Sequence, residues 1–278
     1  MTNYKLIIRY DGTGYRGWDH QPGEEKTIQG KLETAVIRML NPSGIKENTG
    51  ADPGGAGSGC AYVPSDSLGS FEGDIPDIIS AGRTDGGVSA EGMCANVKLE
   101  TVLSCEQIRD SLNRNLPDDI CVISVEKAGD RFHARYNATG KTYRYTCYAG
   151  DLKPVFERRY VYELGSMPDI AAMKKAAGLI IGEHDFSSFC GNPRMKKSCV
   201  RCVDSITIEE KEGFLYFTYH GNGFLQYMVR IMTGTLIEVG LGKKAPESVT
   251  EILDAKDRSL AGFTAPARGL KLISVDYD

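Results

Sequence analysis

Met93-Cys-Ala-Asn-Val-Lys-Leu99, Ser104-Cys-Glu-Gln107 and Ile120-Cys-Val-Ile-Ser-Val125 follow one another closely, and together they decide the fold. Met93, Ala95, Val97 and Leu99 alternate with other residues, the period of a strand. Ser104 and Gln107 have the spacing of a capping box, in which each side chain satisfies the other residue's free backbone N–H. The helix it opens carries Ile108 and Leu112 on one face. Ile120 to Val125 reads as the next strand. Working outward, Tyr4-Lys-Leu-Ile-Ile-Arg-Tyr10 is a strand rich in β-branched and aromatic residues. Thr27 to Leu40 places Ile28, Leu32, Ala35, Val36, Met39 and Leu40 at helical spacing. Ile75 to Ser80 reads as another strand. The order is βαββαβ.

The remainder repeats that order. Thr142 to Tyr148 is a strand. A helix starts in Ser166-Met-Pro-Asp169, with Pro168 near its first turn, and runs through Ile170, Met173 and Ala177 to a stop at Gly182. Strands Val203 to Ile208 and Phe214 to Tyr219 flank a turn at Lys211-Glu-Gly213. Phe224 to Val239 is an amphipathic helix, Pro246 to Leu253 a shorter one, and Leu270 to Tyr277 a closing strand. The expected class is α+β: two tandem βαββαβ (RRM/ferredoxin-like) halves, residues 1–130 and 131–278, sharing an antiparallel sheet.

The chain has 278 residues, 41% hydrophobic and 25% charged, a soluble globular composition. It holds no apolar run long enough for a transmembrane helix, and its start lacks the pattern of a secretion signal. Eight cysteines (Cys60, Cys94, Cys105, Cys121, Cys147, Cys190, Cys199 and Cys202) are scattered through it and read as reduced thiols of a cytoplasmic protein. Cys199 and Cys202 form one close pair, with Cys190 and His184 nearest in sequence. A zinc site needs about four ligands, so no metal is expected. A net charge of −4 argues mildly against a nucleic-acid partner, yet phosphate affinity follows local basic patches rather than the total. Residues 41 to 75 hold eight Gly and three Pro, with five acidic residues against one basic, and read as a long surface insertion.

The chemistry centres on Ser80-Ala-Gly-Arg-Thr-Asp-Gly-Gly-Val-Ser-Ala90. Arg83 and Asp85 sit between two strands beside Gly86 and Gly87. An ionised Asp held in a cleft can attack an electron-poor carbon, and a nearby Arg would keep it ionised. Spacing alone fits a plain surface ion pair better.

Gly82-Arg-Thr-Asp-Gly-Gly-Val88 resembles the catalytic signature of the TruA family of tRNA pseudouridine synthases. Other blocks follow in the family's order: Tyr10-Asp-Gly-Thr-Gly-Tyr-Arg-Gly-Trp18, Thr27-Ile-Gln-Gly-Lys-Leu-Glu33 and Leu112-Asn-Arg-Asn-Leu-Pro-Asp-Asp-Ile120. Phe132-His-Ala-Arg-Tyr136 with Lys141-Thr-Tyr-Arg-Tyr145, then Gly182-Glu-His-Asp-Phe-Ser-Ser-Phe189 and Met228 to Leu236, complete the set. The resemblance spans nearly the whole chain except residues 41 to 75. It departs at Ser89, where bacterial members commonly carry His, and at Gly86, where Ala is frequent.

The resemblance implies the following roles. Asp85 is the nucleophile. Arg83 positions it and fills the space left by a flipped base. Tyr143 stacks on the target uracil and takes part in proton transfer at its C5. Arg230 pairs with Asp85, and Leu270 packs near the base. The resemblance also implies a central catalytic cleft, a tRNA partner bound at the anticodon arm (uridines 38, 39 and 40), a homodimer and no cofactor. Phosphates would be gripped by Arg16, Arg194, Lys196, Lys197, Arg201, Lys243 and Lys244, the Arg194 to Arg201 cluster being the best patch. Trp18 reads as packing, and His133 and His184 as hydrogen-bonding residues. Two rival readings stand beside this one. One is a non-catalytic tandem RRM-like protein; the other is a retaining glycosidase, which needs a second carboxylate about 5 Å from the first.

Overall fold

A computed structural model describes residues 1–21, 24, 26–41 and 76–278. Most of the 41 to 75 insertion, with Cys60, lies outside the described residues. The described elements are β1 (Thr2–Tyr10), α1 (Ile28–Leu40), β2 (Ile79–Ser80), β3 (Ser89–Leu99), α2 (Cys105–Asn115), β4 (Ile120–Lys127), β5 (Ala138–Tyr148), β6 (Tyr162–Glu163), α3 (Ile170–Ile180), β7 (Gly182–Asp185), β8 (Val200–Lys211), β9 (Phe214–Gly221), α4 (Met228–Gly240), α5 (Ser248–Ala255) and β10 (Leu270–Tyr277). Mixed α+β architecture follows, with one large sheet in the order β4-β1-β3-β10-β5-β9-β8-β7; β2 pairs with β3 and β6 with β5. Along that order every pairing is antiparallel except β3 with β10, where Lys271 lies opposite Ser89 and Leu272 opposite Ala90.

The helical side of the sheet is built by alternation. Tyr4, Leu6, Ile8 and Tyr10 of β1 are buried and share one core with Ile28, Leu32 and Val36 of α1 and Ile108 and Leu112 of α2. Burying each such aliphatic side chain is worth about 1.5–3 kcal/mol. The capping box forms as its spacing requires: Ser104 Oγ accepts from the Gln107 amide, and Gln107 Oε1 accepts from the Ser104 amide. In the second half, α4 is buried along nearly its whole length, and α3 packs beside it. On the other side of the sheet, Asn3 and Asn96 bond one another at 3.1 Å. Asn3 also donates to the carbonyls of Gly129 and Phe132, and Asn96 accepts from the Ala134 amide. The connection from β4 to β5 is thereby stitched across the sheet, which brings Arg135 to the rim of the cleft.

Several expected boundaries move, three of them as follows. The strand expected from Ile75 to Ser80 is regular only at Ile79–Ser80, and Ile75 lies outside the described residues. The helix expected from Phe224 begins at Met228, because Tyr227 adopts φ 60°, a left-handed conformation that cannot continue a helix. Pro168 precedes α3 rather than entering it. The cap is Asp169, whose carboxylate accepts from the Ala172 amide.

Candidate active site

Asp85 sits in the turn between β2 and β3, and the backbone around it is tied at several points. Trp18 donates its amide to the Thr84 carbonyl at 3.0 Å, and Gly87 donates to Tyr15 at 3.2 Å. Gly17 forms an antiparallel bridge to Asp85 itself. At Gly17 φ is +122°, and a Cβ there would stand 2.8 Å from the Thr84 carbonyl oxygen, so only glycine lets the two segments meet. The buried Tyr10 hydroxyl bonds Thr84 Oγ1 at 2.7 Å. Trp18 is fully buried beside Tyr10, as a packing residue should be.

The partner of Asp85 comes from the other half of the chain. Arg230, on the first turn of α4, places Nη1 3.1 Å from Asp85 Oδ2. Only 28% of the Asp85 side chain and 15% of Arg230's is exposed. Arg230 is itself oriented on two further sides: Nε donates to the Ala265 carbonyl at 2.7 Å, and the guanidinium lies 4.9 Å over the Tyr227 ring. The Ala265 segment reaches Arg230 because Gly234 of α4 has no Cβ; one would stand 1.9 Å from the Phe263 carbonyl oxygen. Burial lifts the Asp85 carboxyl above its ordinary value despite the opposing pull of Arg230. The sequence reading, in which the arginine alone set the ionisation, omitted this desolvation.

Asp85 opens into a cleft of about 820 Å³ whose two walls are the turn from Gly82 to Val88 and the segment from Phe224 to Val229. Tyr143 and Leu270 line it with Asp85, and Phe224 meets the Tyr143 ring edge-on at 5.4 Å. Burial first, then the charge of Asp85, push the Tyr143 phenol well above its ordinary range. Six cationic side chains line the cleft (Arg16, Arg83, Arg135, Lys141, Lys197 and Arg201) against two carboxylates, Asp19 and Asp85. The local balance of +4 is opposite in sign to the chain's −4, which answers the objection raised by net charge.

Some expected site residues stand elsewhere. Arg83 pairs with Asp19, Nε to Oδ2 at 2.6 Å, and not with Asp85, so the surface pair that the Arg83–Asp85 spacing suggested is not formed. That pairing also commits Asp19, the other carboxylate in the cleft. Arg16 lines the cleft with its guanidinium near Glu24. Lys197 and Arg201 reach the cleft, whereas the exposed Arg194 and Lys196, Lys243 and Lys244 are not among its lining residues. His133 and His184 serve local backbone hydrogen bonds.

Comparison with known proteins decides the family. A family model described as tRNA pseudouridine synthase matches residues 176–278. The chain is 42% identical over 277 residues to "tRNA pseudouridine synthase A" of Bacillus sp. (strain KSM-64), with all of both chains covered. It is 38% identical to the protein of that name from Thermoanaerobacter sp. (strain X514) and 36% identical to "tRNA pseudouridine synthase A 2" of Bacillus anthracis, again over full length.

The chain belongs to the TruA family of tRNA pseudouridine synthases.

In this TruA-family isomerase, five residues described at the site, Asp19, Arg135, Lys141, Phe224 and Tyr227, escaped the sequence reading as site residues. Arg135 and Lys141 lie inside the family blocks Phe132 to Tyr136 and Lys141 to Tyr145, so the blocks were the available signal. Tyr227, which seats Arg230, had none, since a left-handed non-glycine residue leaves no pattern. The seven cysteines among the described residues are free. No helix among those residues is long and apolar enough to cross a membrane.

Proposed function

We propose that this synthase isomerises uridine to pseudouridine in the anticodon arm of tRNA, at positions 38 to 40, with Asp85 as nucleophile. The observation that carries the reading is the Asp85–Arg230 pair, 3.1 Å apart and largely shielded, at the wall of a cationic cleft that also holds Tyr143. The target nucleotide leaves its stack, which costs a few kcal/mol. Stacking on Tyr143 returns about 1–3 kcal/mol. The Asp85 carboxylate attacks C6 of the base or C1′ of the ribose; a glycal route, with proton loss at C2′, is the third. The C1′–N1 bond breaks, the uracil rotates, a C1′–C5 bond forms, and any bond to Asp85 breaks to return its carboxylate. C5 loses a proton and N1 gains one, so no atom or electron is exchanged with a cofactor. The Tyr143 hydroxyl, kept protonated by burial, takes part in moving the C5 proton to solvent, from which N1 is protonated.

Arg230 holds the carboxylate ionised and aimed. Leu270 packs against the edge of the base, and Arg83 leaves Asp19 to fill the vacated stack. Arg16, Lys197 and Arg201 meet phosphates at the rim of the cleft, with Lys196 beside them on the exposed loop. We further infer two βαββαβ halves, 1–130 and 131–278. The orders β4-β1-β3-β2 and β10-β5-β9-β8 support this, since each places its fourth, first, third and second principal strands in the same sequence. The enzyme acts in the cytoplasm as a homodimer, with the RNA touching both subunits; this part rests on the family.

The test is release of tritium from C5-labelled uridine in an unmodified tRNA transcript, with the modified positions mapped. Stoichiometric release with pseudouridine at 38, 39 or 40 supports the proposal. Release at other positions removes the anticodon-arm assignment, and none at all removes the activity.

A further inference from the structure

We propose that Lys141, Arg135 and Arg201 form a phosphodiester subsite in the cleft, built for the RNA backbone beside the flipped nucleotide. The proposal rests on the RNA reading above.

Lys141 and Tyr143 are two apart on β5, so their side chains share a face of the sheet, and both line the cleft. The intervening Thr142 faces the other way, opposite His220, which is engaged there by Asp204 and Asp276. Lys141 therefore stands apart from those two carboxylates. Its Nζ donates to the Ala81 carbonyl at 2.8 Å, and Ala81 in turn donates its amide to Cys94 on β3. Gly82 makes room for this approach, because a Cβ there would lie 3.0 Å from Nζ. One of the three ammonium donors is thus used, and two remain.

The charges around Lys141 are of its own sign. Arg135, from the connection before β5, and Arg201, on β8, both act on it, and Lys197 lines the same cleft. Asp19 and Asp85 are the carboxylates in the lining, and each already has its arginine. Arg201 spends its Nη1 on the Ser198 and Val200 carbonyls. No carboxylate stands within ion-pair distance of Lys141, Arg135 or Arg201 among the described residues. Burial first, then Arg135 and Arg201, push the Lys141 ammonium down to about 8. Gathering cations without a counter-charge costs stability, and an anion supplied by a ligand reverses that cost. A phosphodiester is the anion that an RNA brings next to a base seated on Tyr143.

The consequence is linkage. Anion binding raises the Lys141 pKa, so RNA binding takes up a fraction of a proton near pH 8 and none near pH 6, where Lys141 is already charged. The experiment is calorimetric titration of the Asp85→Asn enzyme with an unmodified tRNA transcript, in two buffers of different ionisation heat at each pH, and again with Lys141→Arg or Lys141→Met added. The uptake at pH 8 should vanish in Lys141→Arg while affinity stays within a few-fold, because arginine is charged at both pH values. Lys141→Met should bind about tenfold more weakly, with its salt slope reduced by about 1. Uptake that persists in Lys141→Arg, or an unchanged slope in Lys141→Met, overturns the subsite. If Lys141→Met fails to fold, the arginine variant decides alone. Wild-type tritium release is read separately, so linked proton uptake without turnover would keep the subsite and remove the catalytic proposal.

Discussion

The two ion pairs at the cleft differ in a way that distance alone would misjudge. Arg83 and Asp19 approach to 2.6 Å, closer than the 3.1 Å between Arg230 and Asp85. The closer pair is open to water, with side chains 68% and 39% exposed, against 15% and 28% for the other. An exposed pair is worth about 0–1 kcal/mol, since solvent screens it and side-chain entropy opposes it. A shielded pair is expensive to break, because the group left behind keeps its charge without water. Supports differ as well. Arg230 is held by the Ala265 carbonyl and the Tyr227 ring, whereas the Arg83 side chain pairs with Asp19. Burial and added support make one pair a fixed part of the site and leave the other a solvent-screened surface pair.

Substitutions test that contrast. The largest effect is expected at Asp85: Asp85→Asn should abolish tritium release from C5-labelled tRNA while RNA affinity changes by no more than a few-fold. Arg230→Gln should lower single-turnover rate by about 100-fold, the ordinary scale for removing a charged partner of the reacting group. It should also destabilise the fold by about 2 kcal/mol in denaturant titration, the scale of a lost hydrogen bond to a charged group. Asp19→Asn should change stability by less than about 1 kcal/mol and leave Arg83 free to enter the stack, seen as a modest fall in KM with kcat preserved. A stability loss for Asp19→Asn equal to that for Arg230→Gln would erase the distinction between the pairs.

What the sequence revealed followed from the range of the forces involved. The Ser104–Gln107 capping box and the alternation of β1 are local and were legible as patterns. The meeting of Asp85 with Arg230 joins residues 145 apart and came from family blocks, not from spacing. Spacing pointed instead to Arg83, which the bridge between Gly17 and Asp85 turns toward Asp19. The parallel placement of β10 against β3 joins the strands of the two halves into one sheet, a long-range pairing that no local run announces. The late start of α4 depends on one left-handed tyrosine. The raised Asp85 carboxyl depends on burial by both walls.

The most direct test is the pH dependence of the single-turnover rate, measured for the wild type and for Arg230→Gln. With Asp85 as the proposed nucleophile, the rate should fall as pH drops through its pKa. Because burial raises that pKa and Arg230 opposes the rise, the wild-type acid limb should lie above the ordinary aspartate value and should move to still higher pH in Arg230→Gln. A limb at the ordinary value, unmoved by loss of the arginine, would contradict a shielded Asp85–Arg230 pair at the centre of the reaction.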